Sequence, residues 1–178
     1  TVTGCTNEGT VTGSGRWVGG VCGLSRGTVT GCTNEGTVIG SNNVGGVCGT
    51  NTGGTTENCA NFGAVNGSGE WVGGVCGGNT GTITGCTNSG AVTGENVGGI
   101  VGYTEDGAIE NCQNSGSVTG GKYTGAICGW NNAGTITGCT NEGAVNGSGD
   151  LGGICGHNEG TVKNCTNSGA VNNGDKNT

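Results

Sequence analysis

Apolar residues recur along the chain at fixed phase, in short alternations rather than in helical stripes. The first copy reads TVTGC, GTVTG and WVGGVCG, at residues 1–5, 9–13 and 17–23. Alternation of apolar and polar positions over a few residues, bounded by Gly and Asn, predicts strand and turn. No stretch offers apolar residues at i, i+3, i+4 and i+7, so no helix is expected.

The alternation is itself repeated. Cys5, Cys32, Cys59, Cys86, Cys112, Cys139 and Cys165 follow one another at intervals of 27, 27, 27, 26, 27 and 26 residues. Two residues after each stands Asn7, Asn34, Asn61, Asn88, Asn114, Asn141 or Asn167, then two further on a Gly (Gly9 to Gly169), and two beyond that a Val (Val11 to Val171). A second constellation closes each copy: VGGVCG at 18–23, 44–49 and 72–77, VGGIVG at 97–102, TGAICG at 124–129 and LGGICG at 151–156. The offset between the two constellations drifts from copy to copy, which marks an exposed corner.

Three short strands in about 27 residues, stacked copy on copy, predict an all-β fold: a β-solenoid of about 6.5 coils, with residues 1–178 as one repeat domain. The copies run approximately over 1–26, 27–53, 54–80, 81–106, 107–133, 134–159 and 160–178. At a strand spacing of ~4.8 Å the rod is about 31 Å long. Three inward columns are expected: Val2, Val29, Ile83, Ile109, Ile136 and Val162 on one face, Val11 and its equivalents on a second, and Val21, Val47, Val75, Ile100, Ile127 and Ile154 on a third. Bends between such short strands need positive φ, a role assigned here to the glycines.

Composition sharpens this picture. There are 47 Gly and no Pro, without a Gly-X-Y period, which excludes collagen; the fixed phase of the valines excludes a flexible linker. With 3% aromatic residues the interior must be thin and repetitive. The net charge is −7, and Arg16, Arg26, Lys122, Lys163 and Lys176 form no cluster, so no nucleic-acid partner is expected. No run of 18 apolar residues exists, so no membrane insertion is expected either. The chain starts and stops inside a repeat without an initiating Met, and reads as a segment of a larger protein.

The GGVCG, GGIVG and GGICG pentapeptides resemble the GLUG motif, and GTVTGCTNEGTVTG resembles the segment that follows it in GLUG-repeat proteins. The resemblance covers essentially the whole chain, with Cys22, Cys48, Cys76, Cys128 and Cys155 standing where the motif more often has an aliphatic residue. It implies a bacterial surface or secreted protein, in the manner of adhesins and of the stalks of immunoglobulin-A-specific metallopeptidases. It therefore implies an extracellular or cell-surface location, and carries no catalytic residues.

Twelve cysteines in such a setting leave two readings open. They either fill the core as small hydrophobes or form bridges within a coil: Cys5–Cys22, Cys32–Cys48, Cys59–Cys76, Cys112–Cys128 and Cys139–Cys155. Val101 stands in the second cysteine column while Cys86 is kept in the first, which favours core filling. The asparagine column (Asn7, Asn34, Asn61, Asn88, Asn114, Asn141, Asn167) reads as a structural ladder of stacked amides. No cofactor and no metal site is expected: there is no C-x₂-C spacing, one His, and no calcium nonapeptide. His157 falls at a variable position read as a turn, and Glu8, Glu35 and Glu142 read as solvated charges, so no catalytic residue is assigned.

The surface retains three features. Thr1/Thr3, Thr28/Thr30, Thr82/Thr84 and Thr135/Thr137 form Thr-x-Thr rows like those of β-helical ice-binding proteins, interrupted by Glu57, Glu110 and Lys163. A flat face of small residues beside the Val11 column, together with open coil ends, suits lateral or end-to-end association of copies. Trp17, Trp71 and Tyr123 at the variable corner suit a host glycan or protein ligand. The function expected is a non-catalytic structural or adhesive segment, a rigid spacer or self-associating rod. An ice-binding solenoid is the alternative, and a polysaccharide-active β-helix enzyme a remote one.

Overall fold

The computed structural model describes residues 1–174; the last four residues of the expected domain lie outside it. The described residues form a β-solenoid of parallel sheets without a helix. Coil two shows the unit: Thr28–Thr30, Thr33–Asn34, Val38–Gly40, Val44–Gly45 and Cys48–Asn51. These are called here the first to fifth sheets. The three alternations expected from the sequence are all extended. The third is divided by a bend between Val44–Gly45 and Cys48–Asn51, and the asparagine corner adds a two-residue strand of its own. The first three sheets have seven strands and the last two have six, which is six and a half coils.

Each strand pairs with its counterpart one coil away, Val29 with Val2 and Thr56, Cys48 with Cys22 and Cys76. In-register stacking makes the inward columns continuous. One core cluster holds the first inward column, both cysteine columns and the Val47/Val75/Ile100/Ile127 column; a second packs Val38, Val65, Val92, Val118 and Val145 against Val44, Val72 and Val97. In the central coils these side chains are at most 1% exposed, whereas at the two ends Val2, Cys5, Cys22, Cys155, Val162 and Cys165 are partly or fully open to solvent. The expected inward faces are thus present, and the Val44 column, on the strand before the bend, lines the interior as well. Two polar intrusions break the aliphatic ladders: Thr56 stands between Val29 and Ile83, and Thr124 between Val97 and Leu151, each with a buried hydroxyl that finds no partner.

Two glycine roles separate in the structure. The residue before each first-column cysteine has φ near +50° to +65°, and only Gly and Asn occupy it: Gly4, Gly31, Asn58, Gly85, Asn111, Gly138 and Asn164. Those are the residue types that tolerate a left-handed backbone at least cost. The invariant glycine after each asparagine does a different job from the one expected. A Cβ at Gly63 would run into the carbonyl oxygen of Gly36 in the coil below, and the same holds for Gly90 over Gly63. Close approach of stacked backbones, rather than positive φ, excludes a side chain there.

Candidate functional site

The asparagine column is a hydrogen-bonded ladder. Each side-chain amide donates to the Oδ1 of the next coil's asparagine: Asn34 to Asn61 at 2.7 Å, Asn61 to Asn88 at 2.7 Å, Asn88 to Asn114 at 2.8 Å. The same Nδ2 also donates to the carbonyl of the glycine two residues on, as from Asn61 to Gly63 at 2.8 Å. Both amide hydrogens are used, and a carbonyl that the sharp corner would otherwise leave dry is satisfied. Asn7 and Asn167 carry the ladder to its two ends, at 2.7 Å to Asn34 and 2.6 Å from Asn141.

A second ladder, not anticipated above, runs through Asn51, Asn79, Asn131 and Asn158, three residues after the second cysteine position. Asn51 donates to Asn79 at 3.0 Å and Asn131 to Asn158 at 2.7 Å. Ser25 and Thr104 occupy the same column and have no amide to donate upward. The Oδ1 atoms of Asn51 and Asn131, which follow them, are therefore buried without a partner. The sequence signal was the recurrent CGxN, visible but broken by CGLS and VGYT.

All twelve cysteines are free thiols, in line with the core-filling reading; the alternative bridges within a coil, Cys5–Cys22, Cys32–Cys48, Cys59–Cys76, Cys112–Cys128 and Cys139–Cys155, are not made. The reason lies in where each sulfur points. First-column thiols donate to the carbonyl two residues earlier, Cys59 to Glu57 at 3.2 Å and Cys112 to Glu110 at 3.2 Å. Second-column thiols turn to the carbonyl two residues later, Cys76 to Gly78 at 3.0 Å, while Cys22 and Cys48 meet sulfur to sulfur along the column at 3.3 Å. Burial holds the Cys128 thiol well above its ordinary pKa. These are core fillers with a weak hydrogen bond.

The threonine rows stay in register on the first sheet, Thr28, Thr55 and Thr82 in one column and Thr30, Glu57, Thr84, Glu110 and Thr137 in the other. Two carboxylates therefore stand inside the row rather than beside it. Thr3 and Thr135 lie on the same face, and Thr1 stands just before the first strand, Val2–Thr3.

The richest surface is the corner that carries Trp17, Trp71 and Tyr123. These occupy one column together with Asn43, Asn96 and Asp150: Trp17, Asn43 and Trp71 immediately precede a fourth-sheet strand, and Asn96, Tyr123 and Asp150 begin one. The position of His157 is not a turn: Tyr103, Trp130 and His157 are outward residues of the fifth sheet, paired with one another. The bend between the two sheets brings the columns together. Trp71 and Tyr103 rings lie 4.5 Å apart, Trp71 and Trp130 5.5 Å, Tyr123 and Trp130 5.4 Å, and Tyr123 and His157 5.0 Å. Lys122 places its ammonium 4.6 Å over Tyr123. His157 is held by Asp150 at 2.7 Å from Nδ1 and by Glu159 at 3.1 Å from Nε2, and these carboxylates raise its pKa. Burial against the stack lifts the Tyr103 phenol, and Glu105, Asp106 and Glu159 add to the effect.

The stack stops at its N-terminal end. Between Trp71 and Trp17 the corner column holds Asn43, and the neighbouring column holds Thr50 and Gly78 instead of rings. A cleft of about 340 Å³ opens there, lined by Arg16, Trp17, Asn42, Asn43, Glu70 and Trp71. Trp17, Asn43 and Trp71 all have positive φ, at 120°, 49° and 63°. For bulky indoles that is a strained conformation, of the kind that concentrates at functional sites. Tyr103 and Trp130 were missed as site residues because their link to Trp71 crosses the bend, which no single column shows.

Among the described residues no group of three or more His, Cys, Asp or Glu side chains is placed to hold a metal, and no helix is long and apolar enough to cross a membrane. Comparison with known proteins agrees with the repeat. The sequence model of the GLUG motif matches residues 93–119 and 147–172. No curated protein and no solved structure gave a match. Both matched stretches begin near the end of a third-sheet strand and run through the corner, the fifth sheet and the asparagine ladder to the next third-sheet valine, Val118 or Val171. The columns within them recur from Cys5 to Cys165, so the chain carries repeats of the GLUG motif.

Proposed function

We propose that this chain is a structural and adhesive repeat segment of a bacterial cell-surface or secreted protein: a stiff, non-catalytic spacer that presents its aromatic corner to a ligand. The observation that carries this reading is the contrast between an interior of stacked, in-register ladders and a single corner where rings, charges and strained backbone collect. Ladders that repeat in every coil add stiffness without chemistry, since stability of such a rod is a sum of neighbour terms. The carboxylates and the histidine sit on the outer surface, exposed to water, rather than in a closed pocket where they would be tuned for acid or base work.

Microspheres coated with the folded protein test the adhesive part. Retention under flow on a layer of extracellular-matrix glycoproteins, above retention on albumin, is the expected result, and Trp71→Ala with Trp130→Ala should reduce it. Equal retention on both layers overturns adhesion through this corner. Small-angle scattering tests the spacer: a rod of one coil stack, ~31 Å long, with no change on dilution is expected, whereas lengthening with concentration would turn the reading toward a self-associating filament. Thermal hysteresis in the same sample would instead favour the threonine face.

A further inference from the structure

The cleft between Trp17 and Trp71 has its own chemistry, separate from the packed stack beside it. We infer that it is a saccharide subsite, which takes one pyranose ring of a neutral β-linked oligosaccharide between two indoles. The inference rests on the adhesive reading above and names its ligand.

Four observations converge on a sugar. The first is spacing. Trp17 and Trp71 occupy the same column two coils apart, hence ~9.6 Å at the strand spacing. With contact distances of ~3.5–4.0 Å on each side, that interval accommodates one ring lying between them. From Trp71 onward the neighbouring rings fill each other's faces at 4.5–5.5 Å, so only the Trp17 side of Trp71 is open to a guest.

The second observation is what stands between. Asn43 directs its Oδ1 over Gly78, the one position of the outward column without a side chain, and no ring stands between the two indoles. The third is the lining: Arg16, Asn42, Asn43 and Glu70 surround the two indoles with donors and acceptors. Hydroxyl-rich faces of a sugar need such partners around an apolar face, whereas a purely aromatic or aliphatic guest would leave them unpaired. Asn42 is positioned for this role, since its Oδ1 accepts from the Glu70 backbone N–H at 3.1 Å and its Nδ2 is left for a guest. The fourth is the backbone: holding both Trp17 and Trp71 at positive φ costs stability that a merely structural column would avoid, as Asn96, Tyr123 and Asp150 do within regular strand.

A volume of about 340 Å³ is at the small end for a ligand site, in keeping with one ring held and its neighbours running along the stack. Trp17, 46% exposed, provides the reporter. Tryptophan fluorescence is followed while the intact protein is titrated with cellohexaose, chitohexaose and laminarihexaose, and in parallel with a tyrosine-containing hexapeptide. At least one oligosaccharide should give a saturable change with Kd at or below ~1 mM. Trp17→Ala and Trp71→Ala should each weaken it at least ~10-fold.

Asn43→Trp is the decisive variant. It continues the stack through the cleft at a position whose φ of 49° is close to the 63° at which Trp71 already holds an indole, so the far-UV dichroism should be kept while sugar binding is lost. No saturable response to any of the three oligosaccharides overturns the inference, as does a response that persists unchanged in Asn43→Trp, or binding of the peptide alone. Microspheres that adhere although the cleft binds no sugar would leave the adhesive reading standing and remove only this ligand.

Discussion

Two corners of the same coil follow opposite rules. At the asparagine corner every coil has the same three residues in phase, Asn, Gly and Val, and the amide is buried to within 1% in each central coil. At the aromatic corner the equivalent positions hold Trp17, Asn43, Trp71, Asn96, Tyr123 and Asp150, loop length changes from coil to coil, and every side chain but the buried Asn96 reaches solvent. The first corner must satisfy backbone carbonyls in a dry interior with one geometry, so a single residue type survives. The second has water to satisfy its backbone, so its side chains are available for recognition.

That comparison is broken most severely at the buried corner. Asn88→Ala removes the acceptor of Asn61, the donor to Asn114 and the donor to the Gly90 carbonyl, leaving one buried amide hydrogen and two buried carbonyl oxygens unpaired. A loss of about 4 kcal/mol is expected in urea unfolding. The next largest effect is Gly63→Ala: its Cβ meets the backbone of Gly36, which cannot swing aside as a side chain would, and about 3 kcal/mol should be lost. A corresponding change at the aromatic corner, Asn43→Ala, leaves no buried polar group unpaired and should cost only about 1 kcal/mol, from placing Ala at φ 49°.

The second asparagine ladder sharpens the comparison in the other direction. Thr104→Asn supplies the missing donor to the Oδ1 of Asn131 and should stabilise by about 1 kcal/mol, read as a higher urea midpoint at unchanged slope. If a buried column tolerated Thr104 for reasons other than its broken ladder, no gain would appear.

The smallest effect belongs to His157. Its folded pKa is raised by Asp150 and Glu159, so its contribution is fully present below the unfolded value of ~6.5 and is lost as pH rises through the higher folded value. Stability should therefore decline slightly from acidic to mildly alkaline pH. His157→Gln should flatten that part of the profile, as should ~1 M salt, because the pair is exposed and screened.

The solenoid was legible because its requirements recur. A buried corner that needs an amide writes Asn at every period, and stacked aliphatic columns write Val and Ile. The left-handed position before each cysteine was equally repetitive, yet it escaped notice: Gly and Asn alternate there, as in Gly31 and Asn58, and only the φ values show that they answer one demand. The cysteines were half legible. Val101 in the second column pointed to packing, while the direction of each thiol toward a carbonyl of its own corner is a three-dimensional fact that no spacing encodes.

By itself the sequence determined the period, the strand content, the inward columns and the first asparagine ladder, because each is a local demand repeated at a fixed interval. Only the tertiary structure decided which columns face one another across a bend. Trp71 and Trp130 belong to different coils and different sheets, and the angle between Val72–Gly73 and Cys76–Asn79, repeated coil after coil, is what sets their rings 5.5 Å apart and leaves a cleft where Asn43 interrupts them. Contacts of that kind depend on the path of the backbone between columns, and a one-dimensional repeat carries no record of that path.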